Sequence, residues 1–154
     1  MTQILKKSIP ALNIRVGHQA RELILKEGLQ AHHVDTIPGA AGGPKGIGLT
    51  GLDQAIFGDF LSQAKQRRFL IGSSVGAWRF AGIVAQGEKS GPEKLAELYT
   101  YLPFHKKMKI ADIEKISRDM LAGILENKSQ QLLDHPEYHL TIIAAKAEHP
   151  FQSD

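Results

Sequence analysis

Two hydrophobic periods alternate along this chain. Residues 16–26 carry a helical stripe of Ala20, Leu23 and Ile24 continued by Glu27, and Gly28 supplies the stop. A short apolar run at 33–37 predicts a strand. The helical period returns over 47–60, with Leu49, Leu52, Ile56 and Phe57 on one face. Residues 68–71 predict a second strand, and a helix follows to about Gln86. A turn is expected at 87–92, with Ser90 as a cap for a helix over 92–101 that Leu102-Pro103 breaks. Ile113, Ile116, Met120, Leu121, Ile124 and Leu125 mark an amphipathic helix over 110–127. Residues 139–145 are mostly apolar, as a buried parallel strand would be. Strands alternating with helices imply an α/β fold around a parallel sheet.

The sharpest break in this pattern is Gly72-Ser73-Ser74-Val75-Gly76, set between Phe69-Leu70-Ile71 and the helical residues after it. It reads G-x-S-x-G, and a strand–turn–helix context makes that motif chemical. The turn strains the middle serine and exposes its hydroxyl. Gly72 and Gly76 are then required where strand and helix converge, and the free N–H groups of the helix start point at Ser74. A glycine-rich βα turn with a bystander serine would show the same letters.

A second glycine cluster, Gly39-Ala40-Ala41-Gly42-Gly43-Pro44-Lys45-Gly46, follows the first strand. Acyl transfer needs N–H donors aimed at the oxyanion of a tetrahedral intermediate. Pro44 has no N–H, so Gly42 and Gly43 are the candidate donors, joined by the amide of Val75. Lys45 either fixes the loop or attracts an anionic group, or is simply solvated.

In this order, G-G-P-K-G and G-S-S-V-G resemble the patatin-like phospholipases, and the longer match resembles a bacterial subgroup. That match runs through I-P-G-A-A-G-G-P-K-G, L-D-Q-A-I-F-G and I-G-S-S-V-G-A-W-R-F-A, clearest over 12–84. The resemblance implies a parallel three-layer α/β sandwich and a lipid acyl hydrolase, a phospholipase or esterase. It makes Ser74 the nucleophile and Gly42 and Gly43 the oxyanion hole, with no cofactor and no metal. The family pairs its serine with an aspartate in a D-G-G or D-G-A motif. This sequence has no Asp-Gly, and its later aspartates are Asp112, Asp119, Asp134 and Asp154. The expectation is therefore an incomplete sandwich, residues 1–154 being the N-terminal part of the hydrolase domain. Such a part would be a weak catalyst by itself and would leave one side of its sheet uncovered. Its expected partners are an acyl-ester substrate, a second copy of itself or a complementary C-terminal half.

Composition narrows the setting. Hydrophobic residues make up 42% of the 154, enough for one domain with a real core. The chain has no cysteine, which excludes disulfides and thiolate metal sites and suits a reducing compartment, the cytoplasm being expected. Residues 1–7 lack the apolar core of a signal peptide, and no apolar run approaches a membrane span. A net charge of +3 without an arginine-rich or aromatic-interleaved patch argues against nucleic acid. The cluster His105-Lys106-Lys107-Met108-Lys109 offers a peripheral contact to an anionic membrane, or is a solvated loop.

Other readings compete. Gly46-Ile47-Gly48-Leu49-Thr50-Gly51 matches G-x-G-x-x-G, but it does not directly follow a strand and no acidic residue ends the next one. Close packing of the helix is the expected reason for these glycines. Lys45 followed by Gly46 fails the Walker A pattern. The order Ser74, Asp134, His149 would suit a compact α/β-hydrolase, although Asp134 precedes its strand. His32-His33 and His135/His139 are not expected to hold a metal, having no helix to bring them together. Trp78, Phe80 and Phe57 would line an acyl pocket or the core. A non-catalytic remnant or binding module of a split hydrolase remains the non-enzymatic alternative.

Overall fold

The computed structural model describes residues 13–103, 105 and 107–146, which fall in two units, 1–30 and 31–154. In the first, α1 spans His18–Glu27, and Gly28 at φ 74° stops it by donating its N–H to the Ile24 carbonyl at 2.8 Å. No residue of α1 is buried, so the expected apolar stripe meets no core there.

The second unit is mixed α/β around a small parallel sheet of order β1-β2-β3, with β1 at Thr36–Gly39, β2 at Arg68–Ser73 and β3 at Tyr138–Ile143. Thr36 pairs with Phe69, and Arg68 pairs with Tyr138. β1 starts later than the apolar run because Ala31–His33 winds into a 3-10 turn instead. Arg68, fully buried, clamps that turn. Its Nε donates to the Val34 carbonyl at 3.0 Å, and its Nη2 donates to the carbonyls of Ala31 and Ala64 at 3.1 and 2.8 Å. Burial raises the ionisation of the neighbouring Tyr138 phenol above its ordinary value, with Arg68 pulling the other way. Pro38 is tolerated because β1 is an edge strand.

The segment joining β1 to β2 changes pitch three times. It runs as 3-10 helix over Gly43–Leu49, α-helix (α2) over Thr50–Asp53, π-helix over Gln54–Phe60 and 3-10 helix over Leu61–Gln63. The expected regular helix is thus one helical path of uneven winding. Phe57 still reaches the core, but Leu49 is 36% exposed.

After β2 come α3 at Val75–Gln86, α4 at Ser90–Thr100, α5 at Ile110–Leu125 and α6 at Ser129–Leu133. Ser90 is the first residue of α4 and caps nothing. α3 and α4 cross in near backbone contact at Gly82 and Gly91, where a side chain on Gly91 would overlap the Gly82 carbonyl. α5 stops at the left-handed pair Glu126 and Asn127, and α6, unforeseen in the sequence pattern, follows. A 2.9 Å ion pair joins Glu126 to Lys94 of α4, lowering the ionisation of the acid and raising that of the amine.

Two clusters form the core. Phe57, Leu61, Leu70, Phe80, Ile83, Val84 and Tyr138 lie between the sheet and its helices, and Val75, Leu95, Met120 and Ile124 lie between α3, α4 and α5. Among the described residues one face of the sheet is covered better than the other. Leu70 and Tyr138 are buried, whereas Thr36, Pro38, Phe69, Thr141 and Ile143 on the opposite face are exposed, Phe69 by 45% and Ile143 by 59%. β3, expected to be buried, is an exposed edge strand beyond Leu140. Among the described residues no helix is long and apolar enough to cross a membrane.

Candidate active site

β2 ends at Ser73 and α3 begins at Val75, so the whole turn is made by Ser74. Its backbone sits at φ 52°, ψ −127°, a region that serine rarely occupies and that costs about 1–3 kcal/mol. The strain is held by packing on both sides. A Cβ on Gly72 would lie 2.5 Å from the Ala77 Cα, and one on Gly76 would overlap the carbonyl oxygen of Gly39. Strand end, turn and helix start therefore approach to backbone contact. Ser74 is exposed and its hydroxyl makes no capping bond, while its carbonyl accepts from the N–H groups of Ala77 at 2.9 Å and Trp78 at 3.2 Å. Among the described residues the N–H groups of Val75 and Gly76, which precede the first intrahelical bond, have no protein acceptor. Ser73 instead stays in the ladder as the last residue of β2, in register with Ile143.

The glycine loop lies against this elbow. Gly46 is buried on Val75, where a Cβ would come within 2.6 Å of the Val75 Cγ2. Gly43 opens the 3-10 segment at φ 54°, the left-handed region that glycine enters without penalty. Gly42 sits at φ −177°, ψ 0°. Among the described residues neither amide donates to a protein acceptor, which leaves both free for a ligand oxygen. Lys45 is exposed and Pro44 adds no donor. Gly43→Val should hold its φ only under strain and turn the amide away. We expect a loss of about 10²–10³ in turnover with the fold retained, measured by steady-state ester hydrolysis beside far-ultraviolet dichroism.

Beneath the loop lies a buried ion pair that the motif does not reveal. Asp53 of α2 accepts from Arg79 of α3 in a two-pronged contact, Nε to Oδ2 at 2.8 Å and Nη2 to Oδ1. Their side chains are 3% and 11% exposed. The Arg79 side chain also passes under Gly46, so the pair ties the loop's helical segment to the elbow helix. The sequence signal was an arginine inside the apolar run V-G-A-W-R-F-A-G, which demands an acid nearby.

The aromatic candidates divide. Phe57 and Phe80 are core residues, each 1% exposed and packed with one another, so neither lines a pocket. Trp78 is half-buried, one turn along α3 from the elbow, with its ring 6.3 Å from that of Tyr99.

The glycines of the dinucleotide-like match have separate surroundings. Gly46 packs on Val75 as expected, but Gly48 and Gly51 face open space, so close packing explains only the first.

The downstream acids that could partner the serine are engaged elsewhere. Asp112 closes the first turn of α5 by accepting the Lys109 N–H at 2.9 Å, and Asp119 pairs with Lys115. Asp134 accepts from Gln130 just before β3 begins. In a parallel sheet that is the end opposite Ser74, so geometry sets Asp134 apart from the elbow. His149 and Asp154 lie outside the described residues, as does Lys106 of the basic cluster.

Of the two histidine pairs, one is engaged in hydrogen bonds within the protein, and the other is brought together by a helical turn against expectation. His135 Nδ1 accepts the backbone N–H groups of Glu137 and Tyr138, and His139 Nε2 accepts from Arg67 Nε at 2.9 Å. The 3-10 turn does bring the rings of His32 and His33 within 4.3 Å, edge to face.

Comparison with protein-family models, curated proteins and solved structures finds no match to this chain.

Proposed function

We propose that this chain carries the nucleophile and oxyanion half of a patatin-type serine acyl hydrolase acting on lipid or other acyl esters. The observation that carries this reading is Ser74, exposed at φ 52° between a parallel strand and a helix, with the glycine loop packed on Val75 beside it. A bystander serine in an ordinary βα turn would have no reason to hold that conformation.

In this mechanism the Ser74 Oγ bonds to the ester carbonyl carbon and the π pair of the C=O moves onto oxygen. The amides of Gly42, Gly43 and Val75 receive that oxyanion. The serine proton leaves to a base, which is solvent water where no carboxylate is placed for it. Collapse expels the alcohol, and water then hydrolyses the acyl-serine to release the fatty acid. No cofactor or metal enters the scheme. The less covered face bearing Phe69 and Ile143 is where the second helical layer of a three-layer sandwich would pack, whether supplied by a C-terminal half or masked by a second copy. We place the reaction in the cytoplasm, on a sequence without cysteine, with any membrane contact peripheral.

The test is fluorophosphonate labelling of the full chain followed by peptide mapping. The modified residue should be Ser74, and Ser74→Ala should abolish labelling. Modification at Ser73, or normal labelling of Ser74→Ala, would sink the assignment.

A further inference from the structure

Tyr99 stands on α4, outside both motifs, yet it reaches the glycine loop. Its hydroxyl lies 3.8 Å from the point that a Cβ on Gly43 would occupy. Its ring packs against Trp78 at 6.3 Å and against the cluster that contains Val75, the residue directly after the elbow serine. The body of the side chain is thus fixed between α3 and α4, and its polar tip points at the loop. Among the described residues that hydroxyl has no hydrogen-bond partner. A half-buried phenol ordinarily finds one. A fixed and unspent O–H donor beside a left-handed glycine with a free amide is suited to a ligand oxygen.

We propose that Tyr99 is a further catalytic residue, whose phenol O–H donates to the oxygen that gains charge when Ser74 attacks, beside the amide of Gly43. The assignment rests on the acyl-serine reading and deepens it. With Trp78 forming the apolar wall next to this donor, the substrate it fits is an ester with an apolar acyl group. The phenol keeps its proton throughout. It forms a hydrogen bond as the C=O π pair moves to oxygen and gives it up when the acyl-serine forms.

The experiment compares second-order rates of fluorophosphonate labelling at Ser74 for the full chain, Tyr99→Phe, Tyr99→Leu and Tyr101→Phe. In that reaction the Ser74 Oγ–P bond forms, the P–F bond breaks, fluoride leaves and the serine proton passes to water. Charge gathers on the phosphoryl oxygen, which stands in for the ester oxyanion. Tyr99→Phe keeps the ring and removes only the donor. It should slow labelling by about 10² while melting at the wild-type temperature. Tyr101, 80% exposed two residues away, provides the control, and Tyr101→Phe should label normally. A packing role predicts a different split, with Tyr99→Phe labelling like the wild type and only Tyr99→Leu impaired and melting early. That split, with Ser74 still labelled, would overturn the Tyr99 assignment and leave the acyl-serine reading standing. A wild-type chain that does not label at Ser74 would overturn both.

Discussion

Gly76→Ala is expected to lower the melting temperature by roughly 10 °C, a loss of about 3 kcal/mol or more. The added methyl would overlap the carbonyl oxygen of Gly39 and crowd that of Ala40, and neither backbone group has a rotamer by which to retreat. Relief requires β1 to separate from the start of α3. The glycine loop would move with it, since Gly46 rests on Val75 one residue away. Ser74 labelling should therefore fall together with stability. Gly48→Ala supplies the contrast, because a Cβ at Gly48 meets nothing within 4 Å and its melt should stay near the wild type. Thermal unfolding of the two variants side by side is the measurement. A Gly76→Ala protein that melts with the wild type would show that this contact does not hold the elbow.

Asp53→Leu should be about as damaging, costing about 3–5 kcal/mol, because it strands the Arg79 guanidinium in the interior without its acid. Arg79→Met should cost a similar amount by orphaning Asp53. The double replacement Asp53→Leu with Arg79→Met should recover much of the loss, since two apolar side chains leave no unpaired charge. Urea unfolding of all three closes the cycle. The stability difference should change little with added salt, because the pair lies away from solvent. Strictly additive single and double effects would mean that the two side chains act independently.

The part of the fold legible in the sequence is the part with strong local instructions. β2, the elbow and α3 are bounded by Phe69-Leu70-Ile71, by Gly72 and Gly76 and by Gly87, and the structure places them within two residues of expectation. β1 was displaced because Pro38 and Gly39 are poor strand formers and join the strand only through pairing with Ile71 and Gly72 of β2. Ala31–His33 meanwhile turns under the Arg68 clamp, a tertiary contact that no local pattern encodes. The helical period over 47–60 was visible, but its passage from 3-10 to α to π winding was not, because the apolar positions remain compatible with all three. β3 misled through composition: His139-Leu140-Thr141-Ile142-Ile143 reads as interior, and only the sheet order shows that it is an edge. At the candidate site, Ser74, Gly42 and Gly43 were named from motifs. Asp53 and Tyr99 were not, because Asp53 is marked only by its contact with Arg79 across the fold and Tyr99 enters from α4, outside both motifs.

The sheet's register also dictates an order of assembly. Thr36 finds Phe69 across one helical crossover, whereas Arg68 must wait for Tyr138, with α3, α4, α5 and α6 intervening. Loop closure itself disfavours the longer search only slightly, by about 0.6 kcal/mol for each doubling of separation. What delays it is the work of building the helices that bring β3 home, so β2–β3 pairing is the late, non-local step of folding. During that interval β2 has one bare edge, along which its apolar Phe69-Leu70-Ile71 is unpaired. A nascent or refolding chain is thus most vulnerable to joining its neighbours along β2, before the strand that later shields it has arrived.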